Sequence, residues 1–159
     1  MATSAQYVTL AVDDDLLAVP VESVQEILQM SRIARLPNAP AAMLGMIDVR
    51  GQGYPVVDLR VRLGLAPAPE SHATRIILLN AGSSGLDTGV GLMAERVYEV
   101  AELDEARLEP PPTAIGVGPT LCLAGVGRRQ GRLVMVLDLA RLLSGTSVAV
   151  PASGSQQAA

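Results

Sequence analysis

Residues 45–60 have the sequence GMIDVRGQGYPVVDLR, and this stretch decides how the middle of the first half folds. Apolar and β-branched residues dominate positions 43–49 and 54–59, a composition that predicts two strands. The residues between them, 50–53, include two glycines and predict a turn. The stretch therefore predicts a β-hairpin, and the rest of the chain can be compared with it.

The same hairpin recurs in the second half of the chain without a gap. One constant offset aligns Gly45, Gly51, Val56, Asp58, Leu59 and Leu63 with Gly125, Gly131, Val136, Asp138, Leu139 and Leu143. A second offset aligns Glu22, Val24 and Glu26 with Glu95, Val97 and Glu99. Repetition of this kind indicates two similar units. We predict two β subdomains, 6–66 and 74–144, that pack into one domain over 6–144.

The remaining stretches complete the predicted elements. A hairpin over 6–12 and 16–21 turns at the acidic residues 13–15, and strands follow near 75–80, 88–94, 96–103, 121–127 and 132–137. Val24, Ile27 and Leu28 have helical spacing, so a short helix or turn is predicted over 22–28, and a second short helix over 138–143. Residues 64–73 form a predicted linker and 145–159 a disordered tail. Many short strands with turn signals predict a mainly β protein of small barrels.

Composition excludes several functional classes. The 159 residues are 49% hydrophobic and 18% charged, enough apolar content for a sizeable core. A net charge of −4 gives no basic surface for a phosphate backbone, so we expect no nucleic-acid partner. The sequence contains no lysine, which excludes P-loop and Schiff-base chemistry. Because no apolar run is long enough to span a bilayer and no leader pattern is visible, we expect a soluble cytoplasmic protein without membrane insertion.

Few residues are candidates for catalysis or metal binding. The only histidine, His72, lies in the predicted linker, and the only cysteine, Cys122, lies in an apolar run. One residue of each type cannot supply a zinc site. Asp58 and Asp138 each follow a strand and precede a short helix, which predicts helix N-caps rather than a catalytic pair. We predict no enzymatic activity, no cofactor and no metal, and a protein that acts by binding.

The arginines carry the remaining polar specificity. Arg50 lies in the first hairpin turn, while Arg128, Arg129 and Arg132 surround the second. Arginine suits protein carboxylates at interfaces, but arginines in turns are also ordinary solvated residues. The residues alone leave these two roles open.

A family pattern runs through the same positions. It consists of Val24-Gln25-Glu26-Ile27, the prolines 37 and 40, and the stretch 45–60, in which Arg-Gly, three residues, Pro, two apolar residues and Asp-Leu-Arg follow at fixed spacing. This pattern resembles CheW, the adaptor of bacterial chemosensory arrays, and CheW-like domains generally, from about Gln6 to Ser144. The resemblance implies two packed five-stranded SH3-like β-barrels, in agreement with the internal repeat, and no catalytic activity.

The resemblance also implies partners and a site. Adaptors of this family couple a methyl-accepting chemotaxis receptor to the regulatory domain of the histidine kinase CheA, which shares their fold. The family's partner-binding positions carry over to Val24, Glu26, Gly45, Arg50, Gly51 and Gly125. Asp48, which we include among the partner-binding positions, stands where the family usually has Asn, and the sequence leaves open whether its charge pairs with Arg50 and changes partner choice. The alternative is a small-molecule-binding or regulatory β-barrel protein that uses the groove between the subdomains.

Overall fold

The structure is a computed structural model that describes residues 5–80, 82, 89–110 and 122–147, with side chains as far as residue 144. Within these ranges the chain forms ten strands, two α-helices and one 3-10 helix. The helices are a 3-10 turn (Val21–Ser23), α1 (Leu59–Arg62) and α2 (Leu139–Ser147). The strands are β1 (Gln6–Val12), β2 (Asp15–Pro20), β3 (Val24–Gln29), β4 (Met43–Val49), β5 (Gln52–Asp58), β6 (Arg75–Leu79), β7 (Val90–Ala94), β8 (Arg96–Glu102), β9 (Leu123–Arg129) and β10 (Arg132–Leu137).

The strands form two five-stranded sheets. Sheet A has the order β8-β1-β2-β10-β9, and sheet B has the order β3-β6-β7-β5-β4. Neighbouring strands are antiparallel except for the β2–β10 pair in sheet A and the β5–β7 pair in sheet B, which are parallel. The predicted mainly β fold, with two five-stranded units and few helices, is confirmed.

Each sheet combines strands from both halves of the chain. Both halves have the same order of hairpin, strand, hairpin and helix. The first hairpin of the first half, β1–β2, lies in sheet A with β8, β9 and β10, and the first hairpin of the second half, β6–β7, lies in sheet B with β3, β4 and β5. The sheets therefore do not coincide with the sequential subdomains 6–66 and 74–144. The reason is the parallel pairing: Leu16 of β2 lies opposite Val134 of β10, and Gly91 of β7 lies opposite Val56 of β5.

Local differences from the expected elements have a tertiary cause. Residues 22–28, predicted as a helix or turn, form the end of the 3-10 turn and most of strand β3. Ile27 and Leu28 lie opposite Ile77 and Ile76 of the buried strand β6, and this ladder outweighs the local helical spacing. Helix α2 extends to Ser147, so the first three residues of the predicted tail are helical. Residues 148–159 and the predicted strand positions 88 and 121 lie outside the described residues.

Both faces of the central strands are buried. Ile77 and Leu79 of β6 belong to a core shared by the two sheets, whereas Ile76 and Leu78 belong to a separate core on the other face of sheet B. Strand β10 divides its residues in the same way between the shared core and a third core on sheet A. Because alternate residues of a strand point to opposite faces, two-sided burial requires the continuous apolar runs seen in the sequence.

Gly45 and Gly125 lie where another segment crosses a strand. Gly45 has a φ of +150°, and a Cβ at this position would lie 2.1 Å from the carbonyl oxygen of Ala34. Ala34 exchanges two backbone hydrogen bonds of 2.8 Å with Met46, which fixes the crossing. A Cβ at Gly125 would lie 2.8 Å from the carbonyl oxygen of Glu109, whose segment crosses β9 in the same manner. Both glycines therefore allow close packing of backbone on backbone.

Asp58 caps helix α1 from a buried position. Its Oδ1 accepts a hydrogen bond of 3.0 Å from the backbone N–H of Arg60, and the residue is 2% exposed. Burial raises the pKa of the Asp58 carboxyl, although the hydrogen bonds to the helix N-terminus oppose that change. Asp138 caps α2 by accepting a hydrogen bond of 3.1 Å from the backbone N–H of Arg141. The capping roles predicted for both aspartates are confirmed.

Gly45→Ala should lower the free energy of unfolding by about 2 kcal/mol or more, because the added Cβ meets the carbonyl of Ala34 at a φ that L-residues rarely adopt. Urea unfolding measures the loss. Gly51→Ala is the matched control, since Gly51 also has a positive φ but has open space around the missing Cβ, so its loss should be about 1 kcal/mol. Equal losses at the two sites would contradict the role assigned to the crossing segment.

Asp58→Asn and Asp58→Ala should differ in their free energy of unfolding at neutral pH. Asn keeps the cap acceptor without a buried charge, so this variant should be as stable as the parent or more so, while Ala should lose about 1 kcal/mol. The gain expected for Asn follows from the pKa of Asp58, which folding raises. At high pH the charged carboxyl destabilises the folded state. This destabilisation disappears as the pH falls through the raised pKa, because the carboxyl then becomes neutral. The free energy of urea unfolding at about pH 7 tests the difference between the variants, and its comparison with the value at about pH 4 tests the destabilisation by the Asp58 charge. Equal destabilisation by Asn and Ala at neutral pH would show that the carboxylate charge itself is needed.

Candidate functional site

The turn between β4 and β5 is a two-residue hairpin turn formed by Arg50 and Gly51. Both residues have positive φ, +51° and +86°, and the flanking Val49 and Gln52 are paired, as in a type I′ turn. The Oδ1 of Asp48 accepts a hydrogen bond of 2.7 Å from the backbone N–H of Gly51. The carboxylate of Asp48 therefore stabilises the turn, and the pairing with Arg50 that the sequence left open is not formed.

The carboxylate that pairs with Arg50 belongs to Glu26 on strand β3. Nη1 of Arg50 donates to Oε2 of Glu26 at 3.2 Å, and Nη2 donates to Oε1, so the contact is bidentate. The hydrogen bond from Arg50 lowers the pKa of Glu26, and the same contact raises the pKa of Arg50. Strands β3 and β4 are the two edges of sheet B, so this ion pair links one edge strand to the turn that follows the other.

The other predicted site residues lie apart from this pair. Val24 is partly buried and packs against the core shared by the two sheets. Gly45 lies beneath the crossing segment, where its role is packing. Gly125 lies in sheet A, whereas every other predicted site residue lies in sheet B or its hairpin turn. The structure therefore brings together Glu26, Asp48, Arg50 and Gly51 through direct contacts and not the remaining three.

Sheet A carries a related turn with a different charge arrangement. Gln130 and Gly131 form the equivalent positive-φ pair, and their backbone N–H groups donate to the carboxylate of Asp104 at 2.8 and 2.9 Å. These two hydrogen bonds lower the pKa of Asp104. The neighbouring Arg129 pairs with Glu99 of β8 at 2.7 Å. Each sheet thus has an arginine–glutamate pair between its edge strands, but only in sheet B does the arginine occupy the turn.

A separate apolar groove of about 700 Å³ opens between sheet A and the segment that follows α1. Two of its leucines are well exposed for apolar residues, Leu65 at 38% and Leu133 at 52%. The sequence predicted a groove only for the alternative ligand-binding function, and no pattern marked these leucines as surface residues. No residue of the groove belongs to the Glu26–Arg50 group. The lining consists of Val12, Asp14, Asp15, Leu16, Leu17, Leu63, Leu65, Leu123, Val126, Arg132, Leu133 and Met135.

Comparison with known proteins assigns the family. A family model described as the CheW-like domain matches residues 6–147. The chain belongs to the CheW-like family. It is 25% identical over 138 residues to the chemotaxis protein CheW of Helicobacter pylori, covering 87% of this chain and 81% of that protein. It is 29% identical over 140 residues to protein FrzA of Myxococcus xanthus, with coverage of 87% and 84%.

A solved structure also matches this CheW-like chain. The scaffolding protein TtCheW of Thermoanaerobacter tengcongensis superposes with a TM-score of 0.78 at 26% identity, covering 90% of each chain. In the part of the chain that the structure describes, no helix has the length and apolar character needed to cross a membrane. Among those same residues, no three His, Cys, Asp or Glu side chains are grouped so that they could hold a metal ion.

Glu26→Gln should remove a pH-dependent part of the stability. Because folding lowers the pKa of Glu26, the ion pair stabilises the folded state at neutral pH, and this contribution is lost as the pH falls through the folded pKa. The Tm of the variant should therefore lie below that of the parent at about pH 7, and the two values should converge as the pH falls below the lowered pKa of Glu26. Glu105→Gln, at an exposed position, is the control and should follow the parent at every pH. A constant Tm difference across the pH range would contradict the pairing.

Proposed function

We propose that this CheW-like protein is a non-catalytic cytoplasmic adaptor that couples methyl-accepting chemotaxis receptors to a CheA-type histidine kinase. The observation that carries the proposal is the CheW-like domain across residues 6–147, with relatives named as chemotaxis proteins and a solved relative named as a scaffolding protein. These relatives do not favour the small-molecule alternative. The adaptor binds both partners at once, and the geometry of the resulting assembly sets the activity of the kinase.

The apolar groove is the surface that we assign to the receptor. The cytoplasmic tip of a chemoreceptor is a helical hairpin, and amphipathic helices bind by laying an apolar stripe into a groove. The groove has residues of β2 and β10 on one side and Leu63 and Leu65 on the other, and Leu65 and Leu133 are its well-exposed leucines. Exposed leucines at an apolar groove are typical of interaction sites.

The surface around Glu26 and Arg50 is the one that we assign to the regulatory domain of the kinase. Strand β3 is an edge of sheet B and exposes Ile27, at 42%, beside Glu26. The guanidinium of Arg50 is 68% exposed even while it is paired, so it retains donors for a carboxylate or carbonyl of a partner. A partly exposed arginine fork at the edge strand of a sheet suits a specific protein interface.

Reciprocal variants test the two assignments. Leu133→Asp should weaken affinity for the receptor hairpin by roughly tenfold or more and leave affinity for the kinase regulatory domain unchanged, because an exposed position tolerates Asp in the free protein. Arg50→Glu should weaken kinase affinity by a similar factor and spare the receptor. Calorimetric titration of the full chain with each purified partner measures the affinities, and the Tm of each variant reports its folding. Binding of neither partner by the parent protein would overturn the proposed function.

A charge exchange separates the interface role of Arg50 from its structural role. The double variant Glu26→Arg with Arg50→Glu preserves the ion pair within the protein but reverses the charges presented to a partner. If Arg50 contacts the kinase directly, the double variant should recover the Tm of the parent and still bind the kinase weakly. Recovery of both Tm and kinase affinity would mean that Arg50 acts only by holding Glu26.

A further inference from the structure

Arg60 is the most enclosed of the ion-paired arginines in the described part of the chain. It lies in the first turn of α1, two residues after the capping residue Asp58, and its side chain is only 14% exposed. An arginine so enclosed must satisfy its donors within the protein, because water reaches few of them. Neither the sequence pattern nor the two partner surfaces described above gives it a role.

The guanidinium of Arg60 joins three separate segments. Its Nε donates to the carbonyl oxygen of Ala66 at 2.7 Å. Its Nη1 donates to Oδ1 of Asp13 at 2.6 Å and to Oε2 of Glu95 at 2.5 Å. Asp13 lies in the β1–β2 turn of sheet A, Glu95 lies at the junction between β7 and β8, and Ala66 follows α1. One side chain thus ties both sheets to the end of α1.

Two of these three contacts adjoin the walls of the apolar groove. Asp13 immediately precedes Asp14 and Asp15, which line the groove at the start of β2. Ala66 immediately follows Leu65, which lines the groove on the opposite side. The guanidinium of Arg60 therefore links the two chain segments that carry the opposite walls of the groove.

We propose that Arg60 is a positioning residue that sets the separation of the two groove walls and so determines how tightly the groove holds a receptor hairpin. This inference rests on the proposed function, in which the groove is the receptor surface. Arg60 does not line the groove, so in this proposal it acts through the two wall segments and not by touching the hairpin.

The charges around Arg60 explain why removing it would widen the groove. The carboxylates of Asp13 and Glu95 share one nitrogen of the guanidinium, and the backbone N–H of Asp13 also points to Oε2 of Glu95 at 3.4 Å. Without the cation, two carboxylates face each other and repel, so the β1–β2 turn moves away. Lysine would not substitute, because a single ammonium lacks the fixed fork needed to reach Ala66 and both acids.

Hydrogen–deuterium exchange gives a partner-independent test on the full chain. In Arg60→Gln, backbone amides of the turn 13–15 and of the segment 64–66 should exchange at least about tenfold faster than in the parent. Arg62→Gln is the matched control: Arg62 is a neighbour in the same helix that donates instead to the carbonyls of Leu142 and Arg141 in α2. It should accelerate exchange in α2 and leave the two wall segments unchanged.

Affinity measurements then connect the walls to binding. Arg60→Gln, Arg60→Lys and Asp13→Asn should each weaken binding of the receptor hairpin by about tenfold, with kinase affinity unchanged. The double variant Arg60→Gln with Asp13→Asn should bind no more weakly than Arg60→Gln alone, because both changes break the same bridge. Arg62→Gln should bind the receptor as the parent does.

The outcomes distinguish this inference from the proposed function. If the parent binds the hairpin and the Arg60 variants bind it equally well, or if the wall segments exchange at the parental rate, the role of Arg60 is overturned. Equal loss of both partners, or equal loss in the Arg62 variant, would reduce the effect to general destabilisation and would also overturn it. A parent protein that binds no hairpin would overturn the proposed function instead.

Discussion

The rest of the structure depends on the parallel pairing that joins β2 to β10 and β5 to β7. Through each parallel pair, the first hairpin of one half joins the sheet formed by the other strands of the other half. Neither half therefore completes a sheet by itself. Parallel neighbours must be linked by a long connection, and here the connections are residues 21–131 between β2 and β10 and residues 59–89 between β5 and β7. The result is a shared core to which both sheets, α1 and α2 contribute. A protein built in this way should fold as one unit, because each sheet needs strands from both halves.

The exchange also creates the surfaces to which we assign function. The apolar groove has one wall from β2 and β10, which meet only through the exchange, and the other wall from the end of α1, which follows sheet B. The bond from Arg60 to Asp13 crosses the same junction between the two sheets. The Glu26–Arg50 pair, by contrast, links the two edges of a single sheet and does not depend on the junction. The two surfaces proposed for receptor and kinase are therefore built by different parts of the tertiary structure.

The division between buried apolar residues and exposed charges lets stability and recognition vary separately. Leu10, Leu92 and Leu142 of the shared core are fully buried, and burial of each such side chain contributes about 2 kcal/mol relative to exposure. Exposed ion pairs are weakened by water and by the entropy of ordering long side chains. The charged residues around Arg50 can therefore set partner choice at little cost to the fold. Asp48 instead serves the local fold, because its carboxylate accepts a hydrogen bond from the backbone N–H of Gly51 in the turn.

The sequence by itself determined the features that depend on neighbours in the chain. The glycine turn between β4 and β5, the strands beside it and the helix caps at Asp58 and Asp138 follow from local turn chemistry and apolar runs, although the turn is limited to Arg50 and Gly51 and not the predicted 50–53. The internal repeat and the family pattern follow from the spacing of the same residues. Only the tertiary structure decided that 24–29 is a strand, that Arg50 pairs with Glu26 rather than Asp48, and that the halves exchange hairpins. Only the tertiary structure also decided that leucines of the groove are exposed. These features depend on strand register and on side chains far apart in the chain, and local spacing carries no information about which distant residues a fold brings into contact.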